Sequence, residues 1–199
     1  KVYELSVTRT KSNNANASLI IAKESVLDPI FDKDKTSYVL KVLEEVTSLN
    51  LEVELEDEAA TYEVIGNKDF VIGHNTVTVR VKAEDETVKD YVLDILRQEK
   101  GTTSDKLESL TVDKGSLTPA FTPEEVYYEV EVPYEVDKIT LSGILEDKNA
   151  EVEGLGEYTL ALGKNVLGVM VTSTEGIVRS YQVVVTRSRK TEARLASLQ

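Results

Sequence analysis

The sequence predicts an all-β chain made of two tandem antiparallel β-sandwiches, each of about seven strands. Three observations carry that prediction: an internal repeat without gaps, apolar residues alternating with period two, and turn residues punctuating the alternating runs.

The repeat fixes the size of the folding unit. Shifting the chain by 90 residues lays 17–97 on 107–187 with no insertion, and roughly a quarter of the positions are identical. Leu27, Pro29 and Phe31 fall on Leu117, Pro119 and Phe121; Tyr38 falls on Tyr128 and Val42 on Val132. Leu51, Leu55, Gly66, Gly73 and Asn75 meet Leu141, Leu145, Gly156, Gly163 and Asn165, and Tyr91 and Arg97 meet Tyr181 and Arg187. The matched residues are mostly apolar, Gly, Pro or Tyr, the types that fill cores and shape corners.

Alternation then supplies the strands in order. Tyr38, Leu40 and Val42 share one face while Val39 and Lys41 share the other; Leu49, Leu51, Val53 and Leu55 alternate with Asn50, Glu52 and Glu54. Val77, Val79 and Val81 alternate with Thr78 and Arg80, and Tyr91, Leu93 and Ile95 with Val92 and Asp94. The second copy repeats the pattern in Tyr128/Val130/Val132, Ile139/Leu141/Leu145, Leu167/Val169/Val171 and Tyr181/Val183/Val185. One buried face and one wet face is the signature of paired antiparallel sheets, here immunoglobulin- or cadherin-like. Asp28-Pro29, Gly66-Asn67, Gly73-His-Asn75, Gly115-Ser116 and Gly163-Lys-Asn165 separate the runs.

The domain plan follows: repeats over 17–97 and 107–187, joined by the polar linker 98–106. Tyr3 to Arg9 has the form of Tyr91 to Arg97, so 1–9 reads as the last strand of a preceding copy, expected to pair with a sheet edge. Leu195 to Leu198 resembles Leu107 to Leu110, so 195–199 reads as the first strand of a following one. A short polar linker between such beads predicts an extended rod of limited flexibility.

Composition narrows the function classes. A formal net charge of −13 argues against a nucleic-acid backbone or an anionic membrane surface as partner. The chain has no Cys, which excludes disulfides, thiol nucleophiles and thiolate metal sites. Its apolar runs, such as Leu19-Ile20-Ile21-Ala22, are far short of a membrane span.

The repeated residues resemble the cadherin-like β-sandwich domain found in tandem in bacterial, especially Firmicute, cell-surface proteins. In the second copy the resemblance rests on Leu107, Leu110, Val112, Gly115, Leu117, Pro119 and Phe121, continuing through Tyr128, Gly163, Asn165 and Tyr181 to Arg187. The first copy departs where Ser25 replaces the turn Gly and Ala17 the leading Leu. The resemblance implies an extracellular, cell-surface or cell-wall setting, a non-enzymatic structural or adhesive role, and neighbouring repeats of the same protein as partners.

Candidate chemistry is sparse. His74, the only His, sits in a Gly-His-Asn turn where the other copy has Lys164, so it reads as a solvated side chain. The acidic residues Glu56, Asp57, Glu58, Glu146 and Asp147 read as soluble β-turns rather than paired catalytic carboxylates. For calcium the linker offers only Glu99 and Asp105, and no Asp-x-Asn-Asp-Asn motif occurs, so neither metal nor other cofactor is expected. With no Trp for a carbohydrate platform, Tyr127, Tyr134 and Tyr158 are the candidates for a copy-specific surface that binds a glycan or a protein, since their counterparts are not aromatic. Tyr62 lacks an aromatic counterpart in the same way. The primary expectation is a stalk, and the binding module is its rival.

Overall fold

The computed structural model describes residues 9–189. The first module comprises β1 (Ala17–Ala22), β2 (Ser37–Leu43), β3 (Leu51–Leu55), β4 (Thr61–Ile65), β5 (Gly73–Lys82) and β6 (Val88–Gln98). The second comprises β7 (Leu107–Val112), β8 (Tyr127–Val132), β9 (Lys138–Leu145), β10 (Glu151–Glu153), β11 (Gly156–Thr159), β12 (Gly163–Thr172) and β13 (Val178–Arg187). The strands expected over 1–8 and 195–199 lie outside the described residues, and Arg9 is not in a strand.

Each module is a sandwich of two sheets. In the first, β2-β6-β5-β4 faces β1-β3; in the second, β10-β12-β13-β8 faces β11-β9-β7. Most pairs are antiparallel, but β2 runs parallel to β6 (Tyr38 opposite Leu93) and β8 parallel to β13 (Tyr128 opposite Val183). The alternating residues read from the sequence are the core. Tyr38, Leu40, Val77, Val79, Tyr91, Leu93 and Ile95 close one interior, and Tyr128, Val130, Val169, Val171, Tyr181, Val183 and Val185 the other.

The modules differ at one point. Val64 of β4 corresponds to Gly154, which ends β10 after three residues and lets the chain cross to the opposite sheet as β11, paired with β9. Gly154 has φ +85°, and a Cβ there would sit 2.0 Å from the Gly168 carbonyl oxygen, so only glycine fits. The first module makes no such crossing. Instead the Asn67 carboxamide accepts from the Leu49 N–H (2.7 Å) and donates to the Leu49 carbonyl (2.8 Å), standing in for a strand.

The repeated motif residues are spent on holding each sandwich together. Tyr91 Oη accepts from the Ala17 N–H at 3.1 Å and Tyr181 Oη from the Leu107 N–H at 3.0 Å, tying first strand to last. Tyr38 and Tyr128 donate to the carbonyls of Asp32 and Lys35, and of Thr122 and Glu125, with Phe31 and Phe121 stacked on them. Asn75 and Asn165 bond the backbone of Val71 and Ala161 in the same way, and Arg97 and Arg187 donate to the carbonyls of Phe70 and Leu160. These groups pair backbone at the turns and corners of each sandwich, which is why the motif recurs without implying a ligand.

Candidate functional site

The most built region outside the two cores is the junction between the modules. It begins at Gln98, the last residue of β6. Its side chain donates to the Val178 carbonyl at 2.9 Å and accepts from the Val178 N–H at 3.2 Å. Val178 opens β13, and the parallel partner β8 reaches β13 only from Gln182 onward. A carboxamide from the first module therefore satisfies main chain at the start of a strand in the second.

Beyond Gln98, the corner that follows β1 lies on the outer face of β12 and β13. The Gln182 side chain donates to the Ala22 carbonyl at 3.3 Å, and Val26 sits over Gly168. A Cβ at Gly168 would approach the Val26 methyls to 2.9 and 3.0 Å, so the missing side chain is what lets the corner seat. Lys23 stands 4.8 Å from the Tyr127 ring centroid, a cation–π contact. At the rim Lys164 bridges Glu52 and Glu54, the latter at 2.8 Å. Glu24, in the same corner, has its carboxyl pushed up by burial, opposed by the Asn50 N–H that it accepts at 2.9 Å. On the outer face of β13, Val178, Ser180, Gln182 and Val184 are buried as a result. The two modules are thus in direct contact beyond the linker: a corner of one rests on a sheet face of the other, where the outward residues of β13 from Val178 to Val184 carry no charge to keep it wet.

A second built feature repeats in both modules. The lead-in to each first strand is held by two carboxylates from the β-turns. Glu84 accepts from the Ser12 N–H (3.1 Å) and Glu56 from the Asn14 and Asn16 side chains (3.3 and 3.0 Å). In the second module Glu175 accepts from the Thr102 N–H (2.7 Å) and Glu146 from the Ser104 hydroxyl (2.6 Å). Hydrogen bonds from Lys33, first, and from Asn16 hold Glu56 down to about 2. The acidic turns are therefore clamps as well as solubilising groups; Asp57 and Asp147 close Asx turns on Ala59 and Asn149.

The remaining sequence candidates fall in separate places. Tyr127 is at the junction, its hydroxyl donating to Glu129 at 3.0 Å and pushed up by burial and then by that carboxylate. Tyr134 follows β8, partly exposed, with Arg187 5.4 Å from its ring. Tyr158 is on β11 in the opposite sheet, packed on the core and donating to the Gly154 carbonyl at 2.7 Å. Tyr62 is exposed on β4 in the other module. No shared aromatic surface gathers them. His74 is exposed and lies 3.0 Å from Asp94. Asp105 is buried against Arg179 Nε at 3.2 Å. Among the described residues no group of three or more His, Cys, Asp or Glu is placed to hold a metal ion.

Sequence reasoning missed the junction, although a signal was present. Outward positions of β6 read Val88, Asp90, Val92 and Asp94; the same positions of β13 read Val178, Ser180, Gln182 and Val184. The loss of both acids from one copy marks a covered face.

Fold and site together define a pair of immunoglobulin-like β-sandwich modules fastened to each other by a specific junction. The sequence model of the cadherin-like β-sandwich domain matches residues 2–98 and 107–188, and the chain belongs to that family. A relative in Evansella cellulosilytica, named "Putative membrane protein", is 30% identical over 117 residues, covering 54% of this chain; the chain spans 17% of that relative's length. The fibronectin(III)-like modules of Clostridium thermocellum CbhA superimpose with a TM-score of 0.26 and 11% identity, over 90% of this chain and 100% of theirs.

Proposed function

We propose that the two modules are non-enzymatic structural segments of a larger bacterial surface or secreted protein, spacing other parts of it at a set orientation. The observation that carries this reading is the junction: Gln98, Val26 and Lys164 hold one module on the other through backbone, packing and charge at once. The greater length of the relative and its name support an extended parent chain at a membrane. An adhesive role through Tyr127, Tyr134 and Tyr158 draws no support from their separate settings.

The test is a distance distribution. The absence of Cys allows labels to be placed at exposed Glu63→Cys and Lys148→Cys, one on each module. A single narrow distance population is expected in pulsed electron–electron resonance. A broad distribution would sink the reading, and a narrow one that broadens on adding a cell-wall glycan would favour a binding module.

A further inference from the structure

Both modules tie the lead-in of their first strand to the start of their last, but with different chemistry. In the second module the tie is ionic, Asp105 against Arg179. In the first, Lys89 stands where the other copy has Arg179, and it meets a carboxamide: Lys89 Nζ donates to Asn16 Oδ1 at 2.8 Å. The other lysine amines that bond a side chain among the described residues all bond carboxylates. A primary amine set against a carboxamide is a nucleophile set against an acyl carbon.

The pair is held in place. The Asn16 N–H donates to Asn14 Oδ1 at 3.0 Å, its carbonyl accepts from the Glu56 N–H at 3.1 Å, and its Nδ2 donates to Glu56 Oε2 at 3.0 Å. Lys89 Nζ donates also to the Lys33 carbonyl at 2.6 Å and stands 5.1 Å from the Tyr91 ring centroid. A C=O bond is about 1.2 Å long, so Nζ lies within about 4 Å of Asn16 Cγ, near the roughly 3–3.5 Å from which attack begins. Fixed neighbours react as if at very high concentration, which aminolysis of an amide needs because its leaving group is poor.

We propose that Lys89 and Asn16 join in an intramolecular isopeptide bond, with the Glu56 carboxylate relaying a proton. Once the Lys89 ammonium has given a proton to solvent, its amine attacks Cγ; the Nζ–Cγ bond forms and the Cγ–Nδ2 bond breaks. Glu56, hydrogen-bonded to Nδ2 and kept ionised first of all by Lys33, takes one proton from Nζ and hands it to Nδ2, which leaves as ammonia. No oxidant, metal or other reactant is consumed. The product closes residues 17–88 into a covalent loop, so load arriving from the N-terminal side passes from Asn16 through Lys89 into β6 and bypasses β1 to β5. The second module cannot form the bond, because a guanidinium is not a nucleophile.

Intact-mass spectrometry of the denatured full chain tests this. Wild type is expected to be lighter than its sequence by one ammonia. Trypsin is expected to leave 12–23 linked to 83–97, since an acylated Lys89 is no longer a cleavage site. Lys89→Arg and Glu56→Gln are expected at full mass, with cooperative melts establishing that both fold. A wild type at full mass overturns the proposal by itself, whatever the variants do. A loss of ammonia that persists in Lys89→Arg places it at another residue, and a link that still forms in Glu56→Gln takes the carboxylate out of the step; either result overturns the assignment.

Discussion

Replacing Gln98 with Ala removes both bonds to the Val178 backbone and little else, because the side chain is spent on that strand. Gln98 and Val178 are 9% and 5% exposed, so an orphaned N–H and an orphaned C=O each cost about 1–3 kcal/mol. Water reaching the vacated space relieves part of this, leaving a net loss of about 2–4 kcal/mol in the docked state. The loss has a ceiling: once it exceeds the free energy that holds the junction shut, the corner lifts off and solvent satisfies Val178. Amide exchange reads this directly. At 1.4 kcal/mol per decade, protection of the Val178 N–H is expected to fall by a factor of about 30 to 1,000. Protection at Val79 and Val169, deep in the two cores, should change little. An exchange rate at Val178 that moves less than about threefold would mean that the carboxamide is incidental, and the account of the junction would be wrong.

Other perturbations separate junction from core. Gly168→Leu drives a side chain into Val26 and should part the modules at a cost of about 1–3 kcal/mol; the Glu63–Lys148 label distance should broaden while each sandwich still melts cooperatively. Tyr91→Phe and Tyr181→Phe each strip the bond that ties first strand to last, and should lower the stability of their own module by about 1–3 kcal/mol in urea titrations. Alkali should act most clearly on the second module. Burial, first of all, pushes the Tyr181 hydroxyl up to about 12. The folded state then holds that proton more tightly than the unfolded chain, whose tyrosine ionises near 10. This stability is intact below about pH 10 and drains away as pH rises toward 12, by roughly 2–3 kcal/mol. Tyr181→Phe should flatten that slope between pH 10 and 12; a slope unchanged in the variant would assign it to other groups.

The sandwiches were legible because a core must be apolar at every second position, and a duplicated core displays that constraint twice. Tyr91 over Tyr181 and Asn75 over Asn165 announced positions whose bonds turned out to be the same in both modules. The junction was hidden by the same comparison. It is made where the copies disagree, at Val26 against Ser116, Gly168 against Thr78 and Gln182 against Val92, and an alignment that rewards agreement passes over such positions. The tyrosines are also places where the copies disagree. Lacking an aromatic counterpart marks a residue as particular to one copy, and Tyr127 meets the docked corner while Tyr158 stands beside the strand crossing. The crossing was not predicted, since Gly154 in place of Val64 reads in sequence as a weakened strand. Its meaning depends on the Gly168 carbonyl that approaches from another strand.

The bond between Gln98 and Val178 also bears on how the chain would behave under tension. Because the end of β6 is fastened to the start of β13, a pull along the chain is transmitted module to module through that contact, and residues 99–101 carry none of it. Thr102, Ser104 and Asp105 are tied to Glu175, Glu146 and Arg179 of the second module, so the slack in parallel with the fastening is those three residues. When the contact yields they pay out at most about 10 Å before the clamps are loaded. The junction is then a sacrificial link: it opens first, lengthens the molecule and dissipates work, and it can close again without any strand having left its sheet.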